Sequence, residues 1–434
     1  MSARIERLRP RLEEPLLVTN PVNVLYLTGF DSSNAALLVE PERARLFTDF
    51  RYIESARAVE GVEAIQAKRS LIGWLADELT GRIGFEADVL PWSLAERLRG
   101  GGLDLVPRSG LVEGLRRVKE ESELDAFRRA CAITDRMFER LVEEVPFVGR
   151  RERDVAWDIT RLYHEEGAES EAFESNVLPW SFAEQLRSGG IDLVPRRGLV
   201  EQLRAVKEER ELETFRRACA ITDRMFERLV SEVPFVGRRE RDVAWDIARL
   251  FHEEGAEDMA FESIVGSGPT GAKPHGRAGD RVIGVGELVV IDTGCRVGGY
   301  VSDYTRTLAT GELDGEMREA YDAVLAAQLA GLDAIRAGVT GVDADAAARD
   351  VIEASAFAGM FGHGLGHGLG LDVHEAPRLS TESPDTLAAG NVVTVEPGVY
   401  LPGRFGVRIE DDVIVTEDGI ENPVRFTKEL TTVS

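Results

Sequence analysis

The sequence predicts an α/β protein made of at least two domains. Three observations carry that expectation. Short apolar runs bounded by turn residues alternate with amphipathic helical stretches in the N-terminal part. The C-terminal part places β-rich pairs of runs around glycine turns, with helices between them. The chain of 434 residues, 43% hydrophobic and 30% charged, is long for one core and ordinary in composition for a globular protein.

Taken in order, LLVTN (16–20), VLYLTGF (24–30), AALLVE (35–40) and ARLFTDF (44–50) read as strands, and RYIESARAVE (51–60) as a helix. Asp31, Asp49 and Arg51 are polar residues at the ends of these runs, with no catalytic pattern of their own. The segment 88–175 then returns without a gap as 176–263, identical at 72 of 88 positions. Stacked repeat architectures need three or more units, so two copies inside unique sequence read as a tandem duplication. Each copy predicts a strand (GLDLVP at 102–107, GIDLVP at 190–195) and an amphipathic helix. The helix has an apolar face of Leu124, Phe127, Cys131, Ile133, Thr134 and Phe138, or their equivalents Leu212 to Phe226. A second helix follows, RERDVAWDITRLYHEEG (151–167) in the first copy, closed by glycine. His164 and His252 fall in its last turn, where the helix dipole favours them. The division expected is an N-terminal domain over 1–112, a surplus segment over 113–198 and a catalytic domain over 199–434.

Beyond Ser263 the sequence is unique. A small-residue loop carries His275, and GELVVIDTGCRVGGYVSDYTRTLAT (286–310) reads as two strands around a glycine turn. Helices are expected within 315–338 and 343–359, and a further strand pair within 391–419. Between them lies FGHGLGHGLGLDVH (361–374), holding three of the six histidines. Glycine at every second position from 362 to 370 makes a helix costly, at about 1 kcal/mol for each. In an extended backbone His363 and His367 share a face, and the glycines leave room for other backbone or a ligand.

Charge and composition exclude several classes. A net charge of −25 disfavours nucleic acid, which needs a basic face. No apolar run is long enough to span a membrane. The N-terminus MSARIERLRPRLEEP lacks the apolar core of a secretory signal, and three cysteines are too few for a disulfide framework. A cytoplasmic location is expected.

Four carboxylates stand out. Asp292 ends the run LVVI and Asp303 opens the returning strand; Glu396 ends VVTV and Glu410 lies in VRIED on its return. Carboxylates beside such apolar sequence are costly to bury without a cation or donors. Together they carry a charge that would balance two divalent cations, with His367 as a nitrogen ligand. An oxygen-rich set with one imidazole suits Mn²⁺, Co²⁺ or Fe²⁺ better than a thiolate zinc site. Two such ions about 3.5–4 Å apart can share a hydroxide and clamp both reacting oxygens. His275, His363 and His374 are then free to bind substrate or move protons.

VVIDTG, YVSDYTRT, HGLGHGLGLDVHE, TVEPGVY and GVRIEDDV resemble the metallopeptidase family of aminopeptidase P, Xaa-Pro dipeptidase (prolidase) and methionine aminopeptidase. NPVNVLYLTGF and LFTDFRY resemble its prolidase and creatinase branch. The resemblance implies a pseudo-symmetric pita-bread catalytic domain and a smaller creatinase-like α/β domain. It implies two divalent ions, Mn²⁺ foremost with Co²⁺, Fe²⁺ or Zn²⁺ as alternatives, on Asp292, Asp303, His367, Glu396 and Glu410. Asp303 and Glu410 would bridge them, and Glu396 would be the base for the bridging water. His275, His363 and His374 would hold the peptide carbonyl and the proline side, with Arg408 supporting the site. A homodimer is implied, which the duplication could extend to segment exchange.

All five expected ligands are present, unlike in creatinase, and methionine aminopeptidase normally lacks the N-terminal domain. Removing one copy of the 88-residue unit leaves 346 residues, a size similar to small Xaa-Pro dipeptidases. Hydrolysis of Xaa-Pro dipeptides is therefore the expected activity. Removal of an N-terminal residue before proline from longer peptides is the alternative, and a second is an inactive binding protein disabled by the duplication.

Overall fold

The computed structural model describes residues 3–67, 70–146, 150, 152–167 and 199–434. The strand expected at 190–195 lies outside them. Two compact units are formed, Met1–Pro195 and Arg196–Ser434.

The first unit holds a six-stranded sheet of β1 (Leu16–Val18), β2 (Ala35–Val39), β3 (Ala44–Thr48), β4 (Glu63–Gln66), β5 (Arg82–Glu86) and β6 (Asp104–Arg108), ordered β4-β3-β2-β1-β5-β6. Strand β1 runs antiparallel to β2 and parallel to β5. Its alternation shows why the sheet is covered on both faces. Leu17 joins one apolar cluster with Phe47 and Phe85, whereas Leu16 and Val18 join another with Leu37 and Leu46.

One expectation fails here. The run VLYLTGF forms not a strand but most of the helix Pro21–Thr28. Asn20 caps it by accepting from the Val22 N–H, Pro21 takes the first turn, and Gly29 closes it at φ 72°. Start and stop signals outweighed an apolar run too short to show a period. The helix expected over 51–60 shrinks to Ile53–Arg57.

Each copy of the duplicated segment contributes a helical hairpin. The first hairpin comprises Glu121–Glu144 and Glu152–Glu165, the second Glu209–Glu232 and Glu240–Glu254. Both long helices open with a capping box, Glu120 with Glu123 and Glu208 with Glu211. The second hairpin buries its apolar face against the second unit's strands. In the first hairpin, Phe127 and Phe138, expected to be interior, are exposed.

The second unit has two similar halves. One is the sheet β12-β9-β8, of β8 (Ile264–Ser267), β9 (Leu288–Thr293) and β12 (Tyr304–Ala309), beside the small sheet of β7 (Asp258–Met259), β10 (Cys295–Val297) and β11 (Tyr300–Val301). The other is the sheet β14-β13-β15-β18-β19, of β13 (Gly366–Gly368), β14 (Glu375–Leu379), β15 (Val392–Val395), β18 (Asp411–Val415) and β19 (Ile420–Glu421). Helices Gly315–Ala334 and Gly341–Glu353 back it, capped by Asp314 and Thr340. The expected strand pair over 391–419 is two nested pairs. β15 bonds β18, and between them β16 (Gly398–Leu401) and β17 (Phe405–Arg408) form their own ribbon.

Candidate active site

The site lies where the two halves of the second unit meet, because their central strand pairs all end there. Asp292 sits near the end of β9, opposite Thr305 of β12 and Ile264 of β8. Asp303 immediately precedes β12, Glu396 follows β15, and Glu410 stands between β17 and β18. The glycine-histidine stretch is not helical, and its middle, Gly366–Gly368, is extended as β13, bonded to both β14 and β15, with bends on either side.

Of the two uses expected for its glycines, close approach of other backbone is the one seen at Gly366 and Gly368. A Cβ on Gly366 would stand 2.0 Å from the Thr394 carbonyl oxygen, and one on Gly368 would stand 2.2 Å from that of Ala376. They admit neighbouring backbone rather than substrate. That close approach brings His367 beside the carboxylates.

Ligand atoms of Asp303, His367 and Glu410 all lie within 4.8 Å of one another. His367 Nε2 is 3.7 Å from Asp303 Oδ2 and 3.6 Å from Glu396 Oε1. Its Nδ1 is 3.1 Å from the Gly368 carbonyl, which can only accept, so Nδ1 carries a proton and the ring is oriented with Nε2 toward the carboxylates. His363 is held the same way, with Nδ1 donating to the Gly364 carbonyl at 2.9 Å and Nε2 accepting from Tyr400 Oη at 3.0 Å. It stands 3.9 Å from Glu396 Oε2, so one carboxylate lies between two oriented imidazoles. The His374 ring centroid is 4.3 Å from that of His367. His275 is half-buried, in a loop tied to the site by the preceding residue's carbonyl, that of Pro274.

Arg408 crosses the floor. It donates through Nη2 to Asp292 Oδ2 at 2.5 Å, through Nη1 to Tyr400 Oη at 2.8 Å and the Pro274 carbonyl at 3.1 Å, and through Nε to Thr305 Oγ1 at 2.9 Å. Thr305 Oγ1 donates onward to Glu410 Oε2 at 2.7 Å. Tyr400, Thr305 and Asp412 went unassigned in the sequence. Tyr400 lies inside the quoted TVEPGVY, and Asp412 two residues beyond Glu410, but neither motif states a partner. Asp412 Oδ2 accepts the Asp303 backbone N–H at 2.8 Å and so fixes where that carboxylate points.

The electrostatics ask for a cation. Burial pushes Asp303 well above the usual carboxylate range, and the charges of Asp292, Asp412 and Glu396 add to the shift. Glu410 is raised by burial and by Asp303, Glu396 and Asp292, with Arg408 opposing. Burial raises the Tyr400 hydroxyl to about 12, so it stays a neutral donor toward His363. Asp292 Oδ1 is buried and lacks a hydrogen-bond partner among the described residues, an orphan acceptor beside these crowded carboxylates. Oxygen donors, one imidazole and an unsatisfied carboxylate oxygen fit a hard or borderline divalent ion.

Comparison with known proteins finds relatives across both units. The model of metallopeptidase family M24 matches residues 213–417, and that of the creatinase/prolidase N-terminal domain matches residues 4–118. The peptidase YqhT of Bacillus subtilis is 32% identical over 420 residues, covering 96% of this chain and 94% of its own. A Xaa-Pro dipeptidase of Pyrococcus horikoshii is 37% identical over 267 residues, 61% of this chain and 76% of that protein. The structure of a Xaa-Pro dipeptidase from Bacillus anthracis aligns over 99% of both chains, with a TM-score of 0.54 and 31% identity.

Proposed function

Starting from the fact that the chain belongs to metallopeptidase family M24, with the pita-bread catalytic fold and a creatinase-like N-terminal domain, we propose that it hydrolyses the peptide bond before proline in Xaa-Pro dipeptides. The observation that carries this reading is the cluster of buried Asp303 and Glu410 with the partly buried His367, and Asp292 and Glu396 beside it. The family implies divalent metal. The donor set supports two ions, manganese foremost, which Asp292, Asp303, His367, Glu396 and Glu410 would hold. Such ions supply Lewis acidity toward the peptide carbonyl and make water acidic enough to attack near neutral pH.

The chain's own residues do the rest. Glu396 lies between His363 and His367, where its carboxylate takes a proton from the attacking water and returns it to the proline nitrogen as the C–N bond breaks. His363, oriented by the Gly364 carbonyl and Tyr400, presents a fixed imidazole edge to the substrate. His275 and His374 line the substrate side. Arg408 holds Asp292, Tyr400 and the His275 loop in register, so substrate and ligand groups keep one geometry. A cytoplasmic homodimer is the assembly proposed.

Metal analysis coupled to parallel assays of Ala-Pro and Ala-Pro-Ala tests the reading. The expected result is release of proline from the dipeptide by metal-loaded protein. Cleavage of the tripeptide with an inert dipeptide would instead favour an aminopeptidase acting on longer peptides, and inertness toward both would favour a binding protein.

A further inference from the structure

The two hairpins have the same sequence on the faces that matter, and apart from Met137 and Leu141, which the first hairpin buries within itself, their large apolar residues differ sharply in exposure. All ten residues buried along 209–232 recur unchanged along 121–144. Phe215 is 1% exposed and its twin Phe127 67%, while Phe226 is fully buried and its twin Phe138 54% exposed. The seat of the second hairpin is specific. Phe226 stacks on Tyr304 and Phe426 with ring centroids 5.3 and 5.2 Å away. Thr222 Oγ1 lies 2.8 Å from Ser302 Oγ, and Asp223 Oδ1 accepts from Tyr304 Oη and the Phe426 N–H, both at 2.8 Å. The first hairpin carries Thr134, Asp135 and Phe138 at the matching places, with Asp135 exposed.

It is also already folded to the seated shape. Arg140 reaches Glu144, Glu165 and Glu166 at 2.7, 2.6 and 3.0 Å, as Arg228 reaches Glu232, Glu253 and Glu254 at 2.7, 2.7 and 3.2 Å. Arg136–Glu166 and Arg224–Glu254 are both 2.7 Å. The ion pairs that hold the two helices of each hairpin together are thus the same in both copies, so docking would keep them.

The residues leading into each hairpin give a second, independent sign. LRRVK (115–119) and LRAVK (203–207) are twins, each used on one side only. Leu115 is 7% exposed within the N-terminal core and Arg116 donates to Asn23, but Val118 and Lys119 are exposed. In the other copy Leu203 is 79% exposed, while Arg204 pairs with Asp372 and Lys207 with Glu375. One two-sided connector has become two half-used ones. Residues 116–119 hold the side chains that would serve both sides at once.

We infer that the first hairpin is an interchangeable occupant of the second hairpin's seat in the same chain, so that the protein folds in two registers offset by 88 residues. In the second register 121–165 packs on Tyr304, Ser302 and Phe426, and 209–254 is released. The sequence following each hairpin also repeats, with AFES at both 172–175 and 260–263. Two seat-side differences favour the described register. Phe251, buried, is Tyr163 in the other copy, and Met259, packed on the core, is Glu171. The ligands lie beyond both copies, so either register leaves the catalytic residues in place.

Cysteine labelling of the full chain tests this without reference to activity. Cys131 is exposed, whereas Cys219 is buried in the seat. Phe226→Asp places a carboxylate against the Tyr304 ring and disables the second hairpin alone. A maleimide should then modify Cys219 readily and Cys131 about tenfold more slowly than in the parent chain. Cleavage after acidic residues separates the two otherwise identical peptides, because Ala126 stands where the second copy has Thr214. Phe138→Asp should leave the parental pattern. Cys131 as reactive in Phe226→Asp as in the parent would overturn the proposal. Protection of Cys131 that vanishes on dilution would overturn the within-chain assignment, since it would place the hairpin on a second copy.

Discussion

Arg408 Nη2 donates to Asp292 Oδ2 at 2.5 Å, joining residues from the two halves of the second unit beneath the carboxylate cluster. The same guanidinium holds Tyr400, which in turn donates to His363. One side chain thus positions an expected metal ligand and an expected substrate-binding imidazole.

Arg408→Ala should lower kcat/KM and weaken metal binding together, each by about 10- to 100-fold, as loss of a ligand's supporting partner typically does. Arg408→Lys should recover little, because a single ammonium cannot span Asp292, Tyr400 and Thr305. Steady-state kinetics alongside metal titration checks both; a kinetic defect with unchanged metal affinity would restrict Arg408 to substrate positioning.

Asp303→Ala should abolish Ala-Pro turnover and metal loading in the same sample, because it removes a carboxylate expected to be shared. The wild-type protein stripped by chelator should be inactive and regain activity on adding Mn²⁺. Full turnover under chelator would refute the metal-dependent mechanism.

Deletion of residues 88–175 should give a soluble, active chain of 346 residues, since the second copy carries every hairpin residue that the seat buries. Thermal unfolding and the dipeptide assay decide it. Failure of this variant to fold would make the first copy a structural necessity.

Stability should carry an acid-sensitive contribution from Glu287. Its hydrogen bond to Arg281 holds the carboxylate below the usual range, with burial opposing. A depressed folded pKa contributes stability that is present above the unfolded value, about 4.3, and is lost as pH falls through the folded one. Glu287→Gln should therefore lower the urea midpoint at about pH 7, and the gap to wild type should narrow as the pH falls below the unfolded value of about 4.3. A gap that persists in acid would assign the effect to packing.

Local sequence made much of the active site legible. Carboxylates at the ends of apolar runs and glycine on alternate residues around His363 and His367 are patterns written in a few neighbouring positions, and they suffice to identify extended backbone and acidic groups in need of a cation. The helix Pro21–Thr28 shows the limit of the same method, because Asn20, Pro21 and Gly29 overrode a run that reads equally as a strand. Tyr400 and Asp412 stayed unassigned because their meaning lies in partners distant in sequence, His363, Arg408 and Asp303.

The glycine-histidine stretch and the acidic residues at the ends of apolar runs were thus legible in the sequence itself, but not which residues they face. What only the tertiary structure decided is which of two equal hairpins is interior. Leu124 to Leu141 and Leu212 to Leu229 have the same apolar period and the same ten buried-face residues, so these faces do not separate the two copies, and only differences outside them, such as Phe251 against Tyr163, favour one. Burial is a relation to a surface, and the chain supplies one seat of Tyr304, Ser302 and Phe426 for two hairpins that match it.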